Sequence, residues 1–383
     1  MDMAKPKIRF KGYQEDWEQR KLSDVVDSVD TGKSRFDKEG SSGKYPILGS
    51  TSVIGYDDEY DYEGDFILTA RVGANAGGLY RHAGKVKISD NTVFIQASQN
   101  IEFLYQLLIQ FDIKKLSFGT GQPLVKASEL KSLELMMPTD MKEQMRIGVY
   151  FKKLDHLITL HQRKCDETKK LKKYMLQKMF PQNGKKVPEL RFSKFTDDWE
   201  QRKLPEFVSF FNGLTYTPDD VEETGTLVLR SSNVKSGKIV DADNVYVNDK
   251  VATSENVQEG DIIVVVRNGS RALIGKHAQI KDSMPNTVIG AFMSGMRSEH
   301  SSFVNALLDT SAFENEIAKN MGATINQITG YMFSKMEFMI PSGEEQKKIG
   351  EYFSNLDNLI TLHQRKYEEL QKVKKFMLQN MFV

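Results

Sequence analysis

Side chains suited to hydrogen bonding with a polar partner are concentrated in two stretches of the chain, where loops separate short apolar runs. Arg71 and Arg267 each follow an apolar run directly, and each stands two residues before a glycine that permits close approach. Arginine and lysine suit guanine, asparagine and glutamine suit adenine, and serine and threonine suit either base. These types favour contacts with nucleic acid. The candidates are Lys33, Arg35, Arg71, Arg81, His82, Thr120, Gln122, Lys126, Arg230, Asn233, Arg267, Asn268, Arg271, Lys276, His277, Thr324, Asn326 and Gln327.

Several of these candidates occur in matched segments of the two stretches. Arg81-His82 and Lys276-His277 are predicted to lie in equivalent loops. GTGQPLVKASEL at residues 119–130 resembles GATINQITGYMF at residues 322–333, and both present threonine and glutamine beside glycine. For Arg71 and Arg267 a structural salt bridge is the competing interpretation, which the sequence leaves open.

Patterns typical of catalysis are weak or absent in this sequence. Gly32-Lys33-Ser34 ends like a phosphate-binding loop, but the glycine needed five residues earlier is replaced by Asp27. Asp112 with Glu129-Leu130-Lys131 is loosely similar to a nuclease motif, and nothing repeats it in the second half. There is no Asn/Asp-Pro-Pro-aromatic segment for amino-group methylation. Six histidines and one cysteine show no metal-ligand spacing. We therefore expect recognition without catalysis, and no bound metal or cofactor.

The residues between these loops predict two compact α+β domains. Apolar and β-branched runs alternate with clusters of glycine, asparagine, aspartate and serine, as strands joined by turns require. The predicted strands cover residues 45–48, 66–70, 86–88, 92–95, 227–229, 262–266 and 288–292.

An internal repeat runs through nearly the whole chain. DWEQRKL at residues 16–22 recurs at 198–204, 182 residues later, whereas LITLHQRK at 157–164 recurs at 359–366, 202 residues later. Weaker matches in between have offsets of 195 and 196: Arg71 with Arg267, residues 81–83 with 276–278, and residues 91–93 with 286–288. Because the scaffold residues repeat while the loop residues differ, the sequence suggests two copies of one binding domain that recognise different targets.

Each repeat ends in a long helix with a heptad seam. Apolar positions recur at spacings of four and three residues, which is typical of coiled coils. We expect the two helices, each roughly 54 Å long, to pair antiparallel. We predict that Leu171, Met175 and Met179 continue the first seam and Val373, Met377 and Met381 the second. The seam residues are Ile147, Phe151, Leu154, Ile158, His161, Ile349, Phe353, Leu356, Ile360 and His363.

His161 and His363 are interpreted as partly polar seam residues that fix register, in preference to a paired metal or acid/base site. Cys165 is read as a seam residue because its counterpart is Tyr367. Between Lys152 and Lys186 there are eleven basic and three acidic residues. This excess fits either a solvated helix face or a stripe that neutralises phosphates.

Composition sets broad limits on the protein. A chain of 383 residues is long enough for two or three domains, and 39% hydrophobic with 27% charged residues is typical of globular proteins. The longest aliphatic run, residues 262–266, is too short to span a membrane, and one cysteine cannot form an internal disulfide. We expect a cytoplasmic protein. A net charge of +1 means that any nucleic-acid surface must be local.

Together these motifs resemble the specificity (S) subunit of type I restriction-modification systems. The resemblance covers essentially the whole chain. It is carried by the two DWEQRKL segments, by GKYPILGSTSVIGYDDEYDYEGDFILTARVGANAGG at residues 43–78, by the GTGQP and GATINQI segments, and by Pro138 to Gln144 and Pro341 to Gln346 leading into the LITLHQRK helices.

The resemblance implies a non-catalytic subunit that recognises double-stranded DNA. Each of two target recognition domains would read one half of a bipartite sequence, and the helices would set the gap. Two methyltransferase (M) subunits carrying S-adenosylmethionine would dock on the chain, and the resemblance allows two restriction/translocase (R) subunits that use ATP and Mg. The start of the chain, residues 7–22, matches residues 189–204 and should pack near the end of the second helix and close a ring.

The expected architecture is α+β, with two globular target recognition domains in tandem repeat, separated by two long antiparallel coiled-coil helices. We place the first recognition domain at residues 1–140, the first spacer helix at 141–182, the linker and second recognition domain at 183–342, and the second spacer helix at 343–383. The alternative is a protein scaffold with two binding domains on a coiled coil, which would show no salt-dependent DNA affinity. A self-sufficient nuclease or methyltransferase is disfavoured by the missing motifs.

Overall fold

The computed structural model describes residues 5–35, 42–116, 123–182, 184–321 and 326–383. The chain forms two compact units. The first comprises residues 1–162 with 364–383, and the second comprises residues 163–363. Each unit therefore contains the globular part of one repeat and a segment of each long helix.

The first unit is built on a six-stranded sheet. Its strands lie in the order β2, β7, β5, β6, β3, β4, and every pair is antiparallel except β3 with β6. A separate pair joins β1 to β8. The strands are β1 (Glu18–Lys21), β2 (Ser28–Thr31), β3 (Tyr45–Leu48), β4 (Val53–Asp57), β5 (Tyr62–Ala70), β6 (Leu79–Ile88), β7 (Thr92–Gln96) and β8 (Glu134–Met137).

Helices cover the sheet of the first unit and close its core. They are α1 (Ile101–Phe111), α2 (Ala127–Lys131) and α3 (Met141–Met179), and residues 163–179 of α3 belong to the second unit. Phe382 lies against Trp17, Phe103 and Phe151, with ring centroids 6.1, 5.8 and 5.7 Å away. Ile8 N donates to Asn380 O at 2.9 Å. The start of the chain thus packs at the end of the second long helix, as the sequence predicts.

The second unit has two four-stranded sheets, ordered β10, β19, β16, β17 and β11, β15, β12, β18. The first is antiparallel throughout, and in the second β12 runs parallel to β18. The strands are β9 (Glu200–Lys203), β10 (Ser209–Asn212), β11 (Val221–Glu222), β12 (Thr226–Leu229), β13 (Val234–Lys235), β14 (Lys238–Ile239), β15 (Val245–Val247), β16 (Ile262–Val265), β17 (His277–Gln279), β18 (Thr287–Ile289), β19 (Met293–Arg297) and β20 (Glu337–Ile340).

The second unit repeats the aromatic core of the first. Its helices are α4 (Ser301–Leu308), α5 (Ser311–Asn320), α6 (Gly330–Lys335) and α7 (Gly343–Asn380), of which residues 364–380 belong to the first unit. Phe180 packs against Trp199, Phe303 and Phe353 at 6.0, 5.7 and 5.9 Å. The mixed helix and sheet content confirms the predicted α+β class.

The same buried ion pair anchors the start of each long helix. Glu143 accepts hydrogen bonds from Arg9 at 2.6 and 2.8 Å, and Glu345 accepts from Arg191 at 2.7 and 2.8 Å. The next residue, Gln144 or Gln346, donates its amide to the carbonyl of the preceding proline at 2.7 or 2.9 Å. The repeated Glu-Gln pair therefore fixes the start of each long helix.

Within each unit the two helix segments run antiparallel, as predicted. In the second unit Lys172 Nζ lies 2.6 Å from Asp357, and Cys165 Sγ lies 3.8 Å from Ile360 O. In the first unit the counterpart Lys374 lies 2.5 Å from Asp155. The seam residues Ile147, Phe151, Leu154, Ile349, Phe353 and Leu356 are buried, and Ile158, His161, Ile360 and His363 are half-buried.

Two seam positions are wrong in the sequence analysis. Leu171 and Val373 are exposed, at 44% and 43%. A strict continuation of the heptad from Thr168 falls one residue later, on Lys172 and its counterpart Lys374. The ammonium groups of both lysines pair with carboxylates of the other helix segment. Lysine is therefore accommodated at seam positions where the heptad pattern predicts an apolar residue.

Lys172 belongs to a partly buried charged cluster in the second unit. Its ammonium contacts Asp309 at 2.7 Å, and His277 Nε2 lies 3.4 Å from Asp309. Burial works to raise the pKa of Asp309, but hydrogen bonding and charge from His277 and Lys172 outweigh it and lower that pKa to about 2. Burial also works to lower the pKa of Lys172, and the two aspartates more than compensate and raise it.

Asp309→Asn should remove a pH-dependent contribution to the stability of the second unit. The folded pKa lies below the ordinary value of 3.8, so the contribution is complete above that pH and is lost as pH falls towards 2. A shift of this size corresponds to about 2 kcal/mol. Urea unfolding followed by tryptophan fluorescence should show a larger difference in the free energy of unfolding between wild type and variant at about pH 5 than at about pH 2.5. The exposed Asp282→Asn serves as control. An equal difference between wild type and Asp309→Asn at both pH values would contradict the prediction.

In the described part of the chain, no helix combines the length and apolar character needed to cross a membrane.

Candidate nucleic-acid interface

An exposed arginine follows the central buried strand of each unit. In the first unit Arg71 follows β5, its N donates to Asn91 O at 2.9 Å, and its O accepts from Val125 N at 2.8 Å. In the second unit Phe292 O accepts from Val266 N at 3.0 Å and from Arg267 N at 3.2 Å, and Val266 O accepts from Ile328 N at 2.8 Å. Val266 therefore holds the position of Arg71 in the fold, and Arg267 follows one residue later, so the sequence match of the two arginines is displaced by one residue. The main chain of each arginine is therefore fixed while the guanidinium reaches the surface.

The segment that follows each glycine-rich loop packs beside this arginine. Val72 pairs with Leu124 in a β-bridge in the first unit, and Arg267 pairs with Gln327 in the second. Asn326 Nδ2 donates to Gly269 O at 3.0 Å. The resemblance between residues 119–130 and 322–333 thus corresponds to an equivalent position in the fold. Thr120, Gln122 and Thr324 lie outside the described residues.

Among the described residues, the structural salt bridge considered for the two arginines is not found. Within the described residues neither guanidinium pairs with a carboxylate, and both side chains are exposed. Arg267 instead lies over the ring of Phe292, 5.0 Å from its centroid. Such stacking restrains the guanidinium and leaves its N–H donors available.

Three further basic residues of the first unit are exposed near Arg71. Lys33 and Arg35 flank Ser34, whose O accepts from Asp90 N at 3.1 Å, directly before Asn91. Lys126 follows Val125, and its ammonium lies 3.2 Å from Glu129. We call this surface in the first unit the arginine edge: Lys33, Arg35, Arg71, Asn91 and Lys126.

The arginine edge of the second unit comprises Arg267, Asn268, Phe292, Asn326 and Gln327. Asn268 donates its amide to Ser231 Oγ at 3.0 Å, and Asn268, Asn326 and Gln327 are half-buried. Arg271 and Lys276 are exposed in the same loop, between β16 and β17. These positions bring together candidates that are up to 60 residues apart in sequence.

Other candidates are occupied by contacts within their own unit. The loop assignment is wrong for Arg81 and His82, which lie in β6, and for His277, which begins β17. Arg81 forms an ion pair with Glu102 and stacks 4.2 Å from the centroid of Tyr105. His82 is half-buried, and burial lowers its pKa. His277 is buried beside Asp309 and therefore stabilises the unit.

Arg230 and Asn233 also hold local structure. Arg230 donates to the backbone and carboxylate oxygens of Asp243, both at 2.6 Å. The buried Asn233 amide donates to Ala242 O and Asn244 Oδ1, each at 2.9 Å. Both side chains therefore fix the turn at residues 230–244. Across the described residues, no group of three or more histidine, cysteine or acidic side chains is placed to hold a metal.

Sequence reasoning missed Asn91 and Phe292. Asn91 O binds the main chain of Arg71, and Phe292 O binds the main chain of Val266 and Arg267. Each of the two residues directly precedes the strand beside the arginine's strand, β7 or β19. The sequence match of residues 91–93 with 286–288 conceals this equivalence. It aligns β7 with β18, whereas the partners of β7 and β19 show that those two strands correspond.

Comparison with known proteins gives a consistent assignment. The family model for the type I restriction modification DNA specificity domain matches residues 14–170 and again 196–372. The type I restriction enzyme MjaVIII specificity subunit of Methanocaldococcus jannaschii is 25% identical over 94% of this chain and 91% of its own. The EcoKI specificity subunit of Escherichia coli K12 is 25% identical over 48% of this chain and 41% of its own.

A crystal structure supports the same fold. The S subunit of the type I restriction-modification system from M. genitalium matches with a TM-score of 0.74 at 16% identity, covering 99% of both chains. Because the family model covers both repeats, the chain belongs to the type I restriction modification DNA specificity family, as a DNA-binding subunit that is itself non-catalytic and binds no cofactor.

Proposed function

We propose that this chain reads a bipartite DNA target, one half with each unit. The observation that carries the proposal is the repeated arginine edge. Both units hold an exposed arginine just after the central buried strand, within one residue of the same position and next to the segment that follows the glycine-rich loop, yet its neighbours differ. The recognition domains are assigned to residues 1–140 and 183–342, and the spacer helices to 141–182 and 343–383.

The long helices set the gap between the two half-sites in this proposal. α3 has 39 residues and α7 has 38, so each measures roughly 58 Å. Helices of this length exceed the needs of one small domain, which supports a spacing role.

A four-residue insertion in either long helix should change the preferred gap between half-sites. Four helical residues add about 6 Å, compared with about 3.4 Å per base pair, so a shift of one or two base pairs is expected. Sequencing of methylated DNA measures the gap directly. The same insertion at the exposed Gly184, outside the helices, is the control. An unchanged gap in the helix variants would rule out the spacing role.

We further propose that two methyltransferase subunits dock on the helices, one for each unit. Exposed apolar pairs support this docking because they stand three residues apart on one helix face and recur with the repeat. They are Leu171 with Tyr174 in the second unit and Val373 with Phe376 in the first, 43–55% exposed. In this proposal the methyltransferases bind S-adenosylmethionine, and two restriction/translocase subunits bind ATP and Mg. The assembly is located in the cytoplasm.

Tyr174→Asp with Leu171→Asp should weaken the docking of one methyltransferase. Loss of an aromatic anchor costs about 2 kcal/mol or more, roughly thirtyfold in affinity. Native mass spectrometry should then show complexes with one methyltransferase in place of two. The repeat-related pair, Val373→Asp with Phe376→Asp, should do the same, and the exposed Lys169→Asp should not. Complexes with two methyltransferases in both paired variants would contradict this docking surface.

The main test is adenine methylation across the genome of a methylation-null host. The host expresses the cognate methyltransferase with this chain or without it. The proposal expects a two-part motif that appears only when this chain is present. No new methylation, with both proteins expressed and complexed, would overturn it in favour of a scaffold role.

A further inference from the structure

The two arginine edges differ at one equivalent position. Asn91 O accepts from Arg71 N at 2.9 Å, and Phe292 O accepts at 3.0 Å from Val266 N, which holds the position of Arg71, and at 3.2 Å from the next residue, Arg267. The same point of the fold therefore carries an amide in the first unit and a phenyl ring in the second. Because the main chain on both sides is held by the sheet, the side chain at this position can vary without disturbing the arginine.

In the first unit Asn91 presents hydrogen-bonding groups to solvent. Its backbone N donates to Ser89 Oγ at 3.3 Å, and its backbone O also accepts from Ser50 Oγ at 3.2 Å. The side chain is exposed, and no described residue binds its amide. A fixed main chain with an open carboxamide suits the two-bond contact of asparagine with adenine N6 and N7.

In the second unit Phe292 offers apolar surface at the same place. It is 54% exposed, and its ring supports the Arg267 guanidinium at 5.0 Å. A phenyl ring forms no hydrogen bonds to base edges, but it can contact the C5-methyl group of thymine, which lies in the major groove. The stacked guanidinium beside it keeps its planar donors for guanine O6 and N7.

We infer that the residue at this position selects the base read next to the arginine. Asn91 with Arg71 reads adenine beside guanine in the first half-site, and Phe292 with Arg267 reads the methyl group of thymine beside guanine in the second. This inference rests on the proposed function, and it assigns two specificity-determining residues. Asn91 acts through hydrogen bonds and Phe292 through apolar contact.

The test uses the full chain in complex with its cognate methyltransferase, and duplexes that carry the motif found by methylation sequencing. Each thymine of the second half-site is replaced in turn by deoxyuridine, which lacks only the methyl group. One such replacement is expected to weaken binding of the wild-type complex about fourfold, which corresponds to about 0.8 kcal/mol for one buried methyl group. The Phe292→Ala complex should bind the two duplexes equally, and Phe292→Leu should retain part of the difference.

Asn91→Ala provides the matched control in the other unit. It should keep the full response to deoxyuridine in the second half-site and lose discrimination against 7-deazaadenine in the first. A wild-type complex that ignores every deoxyuridine, or a Phe292→Ala complex with an unchanged response, overturns the inference. Failure of the proposed function is distinguishable, since it would leave no two-part motif and no motif-dependent binding.

Discussion

Phe180→Ala is expected to lower the free energy of unfolding of the second unit by about 3–5 kcal/mol. Phe180 is 2% exposed and packs between Trp199, Phe303 and Phe353, with ring centroids at 5.7–6.0 Å. Removing the ring loses its transfer free energy and leaves a cavity among rings that cannot collapse together. Such a loss is a large part of the stability of an ordinary domain.

Urea unfolding in a Trp17→Phe background measures this effect. Trp199 is then the single tryptophan of the chain and reports on the second unit. The control is Phe292→Ala, which removes an exposed ring in the same unit. It should lower the free energy of unfolding by much less than Phe180→Ala does. Similar unfolding midpoints for the two variants would mean that the aromatic cluster does not dominate this core.

Glu345→Ala should cost about 3–5 kcal/mol in the same unit, because it strands a mostly buried guanidinium. The Glu345 side chain is 1% exposed and that of Arg191 is 15% exposed, and the pair shares hydrogen bonds of 2.7 and 2.8 Å. The hydrogen bond to Glu345 is also the main reason why the pKa of Arg191 is raised. Without the carboxylate, the Arg191 guanidinium loses both hydrogen bonds to Glu345, and the charges of Asp197 and Asp198, which have a smaller effect, remain to offset its desolvation.

Arg202→Ala is the matched control for the buried pair. Arg202 and Glu200 form an ion pair of 2.6 Å whose side chains are 44% and 68% exposed, so its loss should cost at most about 1 kcal/mol. Combining Glu345→Leu with Arg191→Met should recover much of the loss, since neither charge then remains. A Glu345→Ala variant as stable as Arg202→Ala would contradict the importance of this helix anchor.

Local sequence patterns predicted the elements of this fold well. The strands at residues 45–48 and 227–229, the buried half of β5 and the first turns of both seams all lie where alternation and heptad spacing place them. These features depend on short-range periodicity, which a single sequence records. The sequence repeat also identified the Glu-Gln pairs, but it did not predict that each glutamate contacts a distant arginine.

Strand register was beyond the reach of sequence comparison. Residues 81–83 align with 276–278 in sequence, yet in the sheets His82 faces Phe66 and His277 faces Val264. The equivalence of Asn91 with Phe292 makes Phe66 correspond to Asp261, so the sequence match of His82 with His277 does not hold in the sheets. Register depends on which strands pair and on the turns that join them, and a match between short sequence segments does not record either.

Candidate interface residues were predicted by type, and type alone does not reveal partners. Arg71 and Arg267 emerge as exposed guanidinium groups, whereas Arg81 and Arg230 are paired within their own units. The partners Glu102 and Asp243 come from other elements, so only the folded chain distinguishes a presented arginine from a structural one. Phe292 was overlooked because the sequence predicts it as the last residue of a strand at 288–292, and an aromatic residue is common in strands.

The division of the long helices between the units also orders events during synthesis of the chain. Residues 163–363 of the second unit are continuous, so all of its core residues, Phe353 included, have been made before residue 364 is added. The core of the first unit includes Phe382, which contacts Trp17 and Phe151. The first unit therefore completes its core only after residue 382 has been made, and a chain that ends at residue 363 keeps every buried core residue of the second unit but lacks Met381 and Phe382 from the core of the first.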